Sequence, residues 1–367
     1  MSILMFVYLI GGFVLLVFGA EVLVRGAARL AARFGISPLI IGLTVVAFGT
    51  SAPEMAVSTQ SAFLGQGDIA IGNVIGSNIF NVLVVLGLSA LIIPLIVSRQ
   101  LVRFDVPIMI AAGFLAWFLA MDGSYSRLDG FILFACIISY TGYLIYSSLK
   151  TRTSGQTTML DDEFSAEINP HRFASLINVT YLLAGLVLLV VGSNLLVSGA
   201  VSLAQALGMS ELVIGLTIIA VGTSLPELAT SLIAAWKGER DMAVGNIIGS
   251  NLFNVLAVLG LAGLVSPEKI PVASNAILFD FPVMMAVMVA CLPIFFSGYR
   301  INRWEGALFL GYYVAYTSYL IMQSNGEPFA STFAHAMVAY VVPLTAITLF
   351  VIATRAWRIQ RGLPIDT

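Results

Sequence analysis

At 367 residues, 59% hydrophobic and only 10% charged, the chain is far too apolar for an ordinary soluble domain. It reads as an all-α polytopic membrane protein with room for about ten or eleven spans of ~20 residues. The net charge of −2, with basic residues scattered between apolar runs, excludes a nucleic-acid partner and leaves membrane lipid as the surroundings.

Taken in order, the apolar runs predict spans at 3–33, 38–64, 69–94, 105–121, 128–148, 175–206, 211–236, 242–265, 277–296 and 304–322, with an eleventh at 335–354. Residues 1–20 have the hydropathy of a signal peptide, but the pattern continues without a clear cleavage site, so they are read as the first span. The first and sixth spans exceed bilayer thickness and imply tilt. Gly11, Gly12, Gly19 and Gly26 in the first, and Gly185, Gly192 and Gly199 in the sixth, suit close helix approach. Tight packing and a sliding surface explain them equally well. Cys136 and Cys291 sit in apolar runs and read as small core residues. The polar stretch 149–174 reads as a loop between halves, and its acidic residues lack the spacing of a calcium loop.

The basic residues set the expected orientation. With eleven spans, Arg25, Arg29, Arg33, Arg99, Arg103, Lys150, Arg152, Arg172, Lys237, Arg240, Arg300, Arg303, Arg355, Arg358 and Arg361 share one side, against Arg127 and Lys269 on the other. Such asymmetry places the N-terminus outside and the C-terminus in the cytoplasm.

Residues 39–88 match 212–261 at a constant offset of 173, with about three positions in five identical. Five spans per copy is an odd number, so the second copy enters the membrane from the opposite side. The fold expectation is therefore two inverted five-helix repeats forming a ten-helix core, plus an eleventh C-terminal helix. The expected division is 1–148 for the first repeat, 149–174 for a cytoplasmic linker, 175–322 for the second repeat and 323–367 for the extra span and tail.

Both copies carry a hexapeptide, Gly49-Thr50-Ser51-Ala52-Pro53-Glu54 and Gly222-Thr223-Ser224-Leu225-Pro226-Glu227. A carboxylate at bilayer depth costs roughly 2.5–3.5 kcal/mol on insertion scales, so each glutamate needs a partner, and a bound cation is the natural one. Proline and glycine break the helix and free carbonyl oxygens beside the acid. Downstream, Asn73, Ser77 and Asn81 recur at i, i+4 and i+8, as do Asn246, Ser250 and Asn254, giving one oxygen-bearing helix face per copy. Hard oxygen donors of this kind suit Ca²⁺ or Na⁺. Elsewhere, structural readings apply. Asn78 and Asn251 lie on another face and read as interhelical glue. Asp68 and Asp241 read as helix caps, Asp105 and Asp280 as residues at helix starts, and Glu21 with Arg25 as an i, i+4 pair.

At these motifs the chain resembles the calcium/cation antiporter superfamily, particularly its prokaryotic sodium/calcium exchanger branch. That resemblance implies Glu54 and Glu227 as shared acidic metal ligands, and Thr50, Ser51, Ser77, Thr223, Ser224 and Ser250 as hydroxyl ligands. It further implies Asn81 and Asn254 as a central polar pair and Ala47 and Ala220 as carbonyl donors, with Asn73 and Asn246 as secondary candidates. It implies no enzyme activity and no prosthetic group, a multi-pass protein of the prokaryotic inner membrane, and spans one and six sliding against the rest. Asn254 replaces an acid associated with potassium-dependent relatives. Gly76 and Gly249 stand where proton/calcium members typically carry glutamate. The implied function is Na⁺-driven Ca²⁺ export by alternating access. The alternatives are H⁺-driven cation exchange, a cation channel or a membrane scaffold.

Overall fold

The computed structural model describes residues 3–34, 36–153, 174–206, 220–324 and 329–360. The polypeptide is almost wholly helical. In chain order run α1 (Ile3–Phe34), α2 (Pro38–Thr50), α3 (Ala52–Phe63), α4 (Gly67–Ile92), β1 (Leu95–Ile96), α5 (Leu101–Ala120), β2 (Ser124–Tyr125) and α6 (Arg127–Thr153). Then come α7 (Ala174–Ala206), the short turn α8 (Ala220–Gly222), α9 (Leu225–Trp236), α10 (Arg240–Val265), β3 (Ile270–Pro271), α11 (Ala276–Phe296), β4 (Arg300–Ile301), α12 (Arg303–Ser324) and α13 (329–360). Seven of these are long and apolar enough to cross a membrane, and the α2–α3 pair, bent by 47°, makes an eighth broken span. Residues 154–173, most of the linker, and 207–219, which include 211–219 of the seventh predicted span, lie outside the described residues.

The helix starts have local causes. Ser126 donates to Asp129 through its N–H and hydroxyl and accepts from the Asp129 N–H, a reciprocal capping box, while Asn302 donates to Glu305 through its backbone N–H and side-chain amide, so α6 and α12 are capped at matching places in the two halves. The helix ends match as well: Gly65 and Gly238 close α3 and α9 at φ of 77° and 86°, a left-handed geometry that a side chain resists. Pro53 and Pro226 sit in the first turns of α3 and α9, where a missing N–H costs nothing.

Four aspartates need correction. Asp68 and Asp241 are not caps; they lie in the first turns of α4 and α10, behind Gln66 and Glu239, where a carboxylate complements the helix dipole. Asp105 and Asp280 are not at helix starts either. The helices begin four residues earlier with a wide π-type turn, which carries each aspartate inward to a tyrosine on the following span. Tyr140 donates to Asp105 at 2.9 Å and Tyr316 to Asp280 at 3.2 Å. Proximity to proline suggested a boundary, but the demand to satisfy a buried carboxylate decided the geometry.

Helices α4 and α10 form the enclosed centre, while α1 and α7 lie against one side with much of their surface toward lipid. Helix α1 packs along α7 through glycines: a Cβ on Gly12 would meet Leu196 N at 2.5 Å, one on Gly19 Leu189 N at 2.9 Å, and one on Gly26 Leu182 N at 2.9 Å. As the α1 number rises its partner's falls, so the two run antiparallel, as inverted copies require. The same economy brings α2 onto α10, where Gly249 faces the Leu43 carbonyl.

Two small ribbons tie the helix ends together. β1 pairs with β4 and β2 with β3, both antiparallel. The first ribbon gathers Arg99, Arg300 and Arg303 at one end of the molecule. Arg127 reaches the Ser266 and Pro267 carbonyls at the other end, beside Lys269. Of the basic residues counted from sequence, these five lie at two ends of the molecule, while Arg172 and Arg361 lie outside the described residues. Asn78 bonds back to Val74 in its own helix, whereas Asn251 reaches Met109 of α5, so only the second acts between helices. Cys291 is buried in the core and Cys136 half-buried. The eleventh predicted span is α13, packed on α11 and tied to α12 by Tyr312, which donates to Thr345.

Candidate cation site

The broken helices bring both hexapeptides to the centre of the bundle, where each half completes the other. Ser51 donates to Glu227 at 3.0 Å and Ser224 donates to Glu54 at 2.9 Å. Thr50 donates to the Asn246 carbonyl oxygen at 3.3 Å, and Thr223 to that of Asn73 at 3.2 Å. Asn246 in turn donates to Ser231 at 2.9 Å and Asn73 to Ser58 at 2.9 Å. Each of these six bonds has a twin at an offset of 173. Reciprocity of this kind requires a local pseudo-two-fold relation between the halves.

The buried atoms left over define the site. Glu54 and Glu227 are wholly buried, and the Oε2 atom of each has no hydrogen-bond partner among the described residues. The same holds for the Ser77 hydroxyl and for both amide atoms of Asn81 and Asn254. An unpartnered buried polar group costs about 1–3 kcal/mol, and more when charged, so this concentration is not a packing solution. Among the described residues no group of three or more His, Cys, Asp or Glu gathers, so a cation bound here would meet two carboxylates and neutral oxygens. That donor set is the hard one Ca²⁺ and Na⁺ take.

The residues named from sequence take different places around the site. Glu54, Glu227, Ser77, Asn81 and Asn254 offer unpartnered atoms to the centre. Thr50 is shared between Asn246, the Ala47 carbonyl and Ser250 at 3.3–3.4 Å, so Ala47 and Ser250 stand beside the site with it. Ala220 opens α8, at the matching place in the second copy. Asn73 and Asn246 have both amide ends committed to residues around them, which makes them struts that hold the threonines.

Sequence reasoning missed three hydroxyls. Ser58 and Ser231, one turn beyond the glutamates, anchor the struts; their equivalence at offset 173 was the available signal. Ser193 of α7 donates to the Gly222 carbonyl at 2.6 Å, and its counterpart on α1 is Ala20, so no duplication pointed to it.

Comparison with known proteins follows this geometry. The family described as sodium/calcium exchanger protein matches residues 4–147 and 177–322, nearly the whole two-copy core. The chain belongs to the sodium/calcium exchanger family. Among relatives of this exchanger, CaxA of Alkalimonas amylolytica is 42% identical over 87% of this chain and 98% of its own. The sodium/calcium exchanger MaX1 of Methanosarcina acetivorans is 33% identical over 85% of this chain and 97% of its own. A solved structure of the sodium-calcium exchanger NCX_Mj, soaked with zero Na⁺ and Ca²⁺, superposes with a TM-score of 0.74 at 32% identity, over 87% of this chain and 100% of that one. The family membership makes this chain a multi-pass membrane cation antiporter rather than an enzyme.

Proposed function

We propose that the exchanger moves Ca²⁺ out of the cytoplasm against Na⁺ moving in, with Glu54 and Glu227 as the shared acidic ligands. One observation carries the reading: two reciprocally bonded carboxylates, each with a free oxygen, meet unpartnered hydroxyl and amide oxygens at the centre of a membrane bundle. The pair's two negative charges match one Ca²⁺, whereas Na⁺ matches them only by binding more than once. The names of MaX1 and NCX_Mj support the ion pair. Broken helices in duplicated halves favour a transporter over a channel.

Ser77, Asn81, Ser250, Asn254, Thr50, Thr223, Ser51, Ser224 and the carbonyls of Ala47 and Ala220 complete the proposed ligand set. The halves 1–148 and 175–322 act as the two repeats, with 149–174 cytoplasmic, 323–367 added outside the core and the N-terminus outside. The clustering of Arg99, Arg300 and Arg303 at one end supports that orientation. Alternating access by α1 and α7 is supported by their glycine contacts and by α7's hold on Gly222. Protons would neutralise the glutamates as well as a cation does, so coupling has to be measured. ⁴⁵Ca²⁺ uptake into proteoliposomes under an imposed Na⁺ gradient is expected to exceed uptake under an equal H⁺ gradient. Uptake that follows H⁺ and ignores Na⁺ overturns the proposal.

A further inference from the structure

A second site lies away from the glutamates, at the membrane boundary where three spans end. A cavity of about 300 Å³ opens between the first turns of α2 and α5 and the last turns of α6, with Arg99, Gln100, Arg103, Phe104, Tyr143 and Ser147 around it. Ile40 and Leu144 form its apolar floor. Arg99 and Arg103 are four residues apart, a spacing at which like charges repel on a helix. Neither guanidinium has a carboxylate partner among the described residues, although both are exposed and face the same space. Asp105, the nearest acid on α5, is turned inward, where Tyr140 and Gln100 donate to it.

The walls are built rather than incidental. Arg99 lies over the Tyr299 ring, 5.7 Å from its centroid, and Tyr299 is the one non-glycine residue with positive φ among the described residues, at 54°. Its carbonyl accepts from Val97, so the ribbon fixes the ring that supports the arginine. On the other side Phe104 stacks on Tyr143 at 5.2 Å. The duplication isolates what the arginines are for. Aligning Asp105 with Asp280 places Ser274 and Leu278 where Arg99 and Arg103 fall, yet the aspartate–tyrosine bond and the wide turn persist. The fold therefore does not need these guanidinium groups. Positive-side bias accounts for basic residues at this end of the molecule, but not for two converging on a cavity with an apolar floor.

We propose that this pocket binds the phosphate of an anionic phospholipid headgroup, with the arginines on the phosphate and the lipid's glycerol and upper chain over Ile40 and Leu144. Arginine forks suit phosphate oxygens, and the boundary position puts the pocket at headgroup depth. The full chain, purified in detergent, is titrated with phosphatidylglycerol and with phosphatidylcholine, and bound lipid is counted by native mass spectrometry. Wild type is expected to retain phosphatidylglycerol preferentially. The Arg99→Gln/Arg103→Gln variant should bind it roughly 30-fold more weakly, with phosphatidylcholine unchanged. Ser147→Phe, which fills the cavity and keeps both charges, should lose the same lipid, whereas Arg33→Gln at the same end should not. Undiminished phosphatidylglycerol binding in either pocket variant overturns the proposal. Displacement of the lipid by millimolar inorganic phosphate would reassign the pocket to a soluble anion and overturn the headgroup assignment.

Discussion

The Ser51 hydroxyl donates to Glu227 across the interface between the two halves at 3.0 Å, and Ser224 repays it on Glu54 at 2.9 Å. Each acid is thus aimed by the copy that does not contain it. A hydrogen bond to a charged group contributes about 1.5–3 kcal/mol, so Ser51→Ala and Ser224→Ala should each weaken Ca²⁺ binding by roughly 10- to 100-fold. Isothermal titration on the purified variants measures this. A silent Ser51→Ala beside a damaging Ser224→Ala would break the reciprocity.

The glycine seam gives a paired test. A Cβ on Gly12 would press on the backbone of Leu196 at 2.5 Å and of Gly192 at 2.8 Å, whereas one on the adjacent Gly11 meets nothing within 4 Å. Backbone cannot yield as a flexible side chain does, so Gly12→Ala should cost about 1–3 kcal/mol of stability while Gly11→Ala stays within about 0.5. Thermal melting in detergent separates them. Equal melting temperatures would mean that the α1–α7 contact is looser than described.

The aspartate–tyrosine bonds between neighbouring spans should matter unequally. Asp105 is fully buried and Tyr140 nearly so, while Asp280 is only partly enclosed. Removing a donor from a buried carboxylate costs about 1–3 kcal/mol. Tyr140→Phe should therefore lower the melting temperature more than Tyr316→Phe, and a double-mutant cycle with Asp105→Asn should show coupling. Additive effects would show that the bond contributes nothing of its own.

Eight of the predicted spans were legible because a run of about 20 apolar residues has few other uses, and the duplication was legible because it survives at about three positions in five. The hexapeptides stood out because a buried glutamate is costly enough to demand a reason. Sequence could not separate Asn73 and Asn246 from Asn81 and Asn254, which share one helical stripe. Only the cross-half contacts show that the first pair is committed to hydroxyls while the second is unpartnered. Asp105 and Asp280 misled for a related reason: a wide turn shifts the helix start by four residues, and nothing local in the sequence announces a wide turn. Ser193 was invisible because its significance lies in a contact with Gly222, 29 positions away.

Helix α13 packs on α11 and α12, where Tyr312 donates to Thr345, and no hydrogen bond among the described residues joins it to the glutamates. Truncation after residue 330 should leave Na⁺-dependent Ca²⁺ flux measurable in proteoliposomes. Loss of flux in a truncated protein that still elutes as a monodisperse species would assign α13 a part in transport.

Competition between the two ions is the sharpest consequence of the shared site. Glu54 and Glu227 are buried, and a site carrying Ca²⁺ and a full complement of Na⁺ together would hold excess positive charge in a low-dielectric interior. Simultaneous occupancy is therefore disfavoured, and mutual exclusion is what couples one flux to the other. Glu54→Gln and Glu227→Gln each keep the side-chain volume and one oxygen but remove a charge, so Ca²⁺ transport should be lost or severely weakened in both. The two losses should be of similar kind, because each acid accepts from the equivalent serine of the opposite half. Equilibrium ⁴⁵Ca²⁺ binding against rising Na⁺ tests both points. Wild type should lose Ca²⁺ steeply, with a dependence on Na⁺ greater than first order, since more than one Na⁺ is needed to replace the double charge. Ca²⁺ affinity indifferent to Na⁺, or a fully active variant at either glutamate, would mean that the two acids do not form one site.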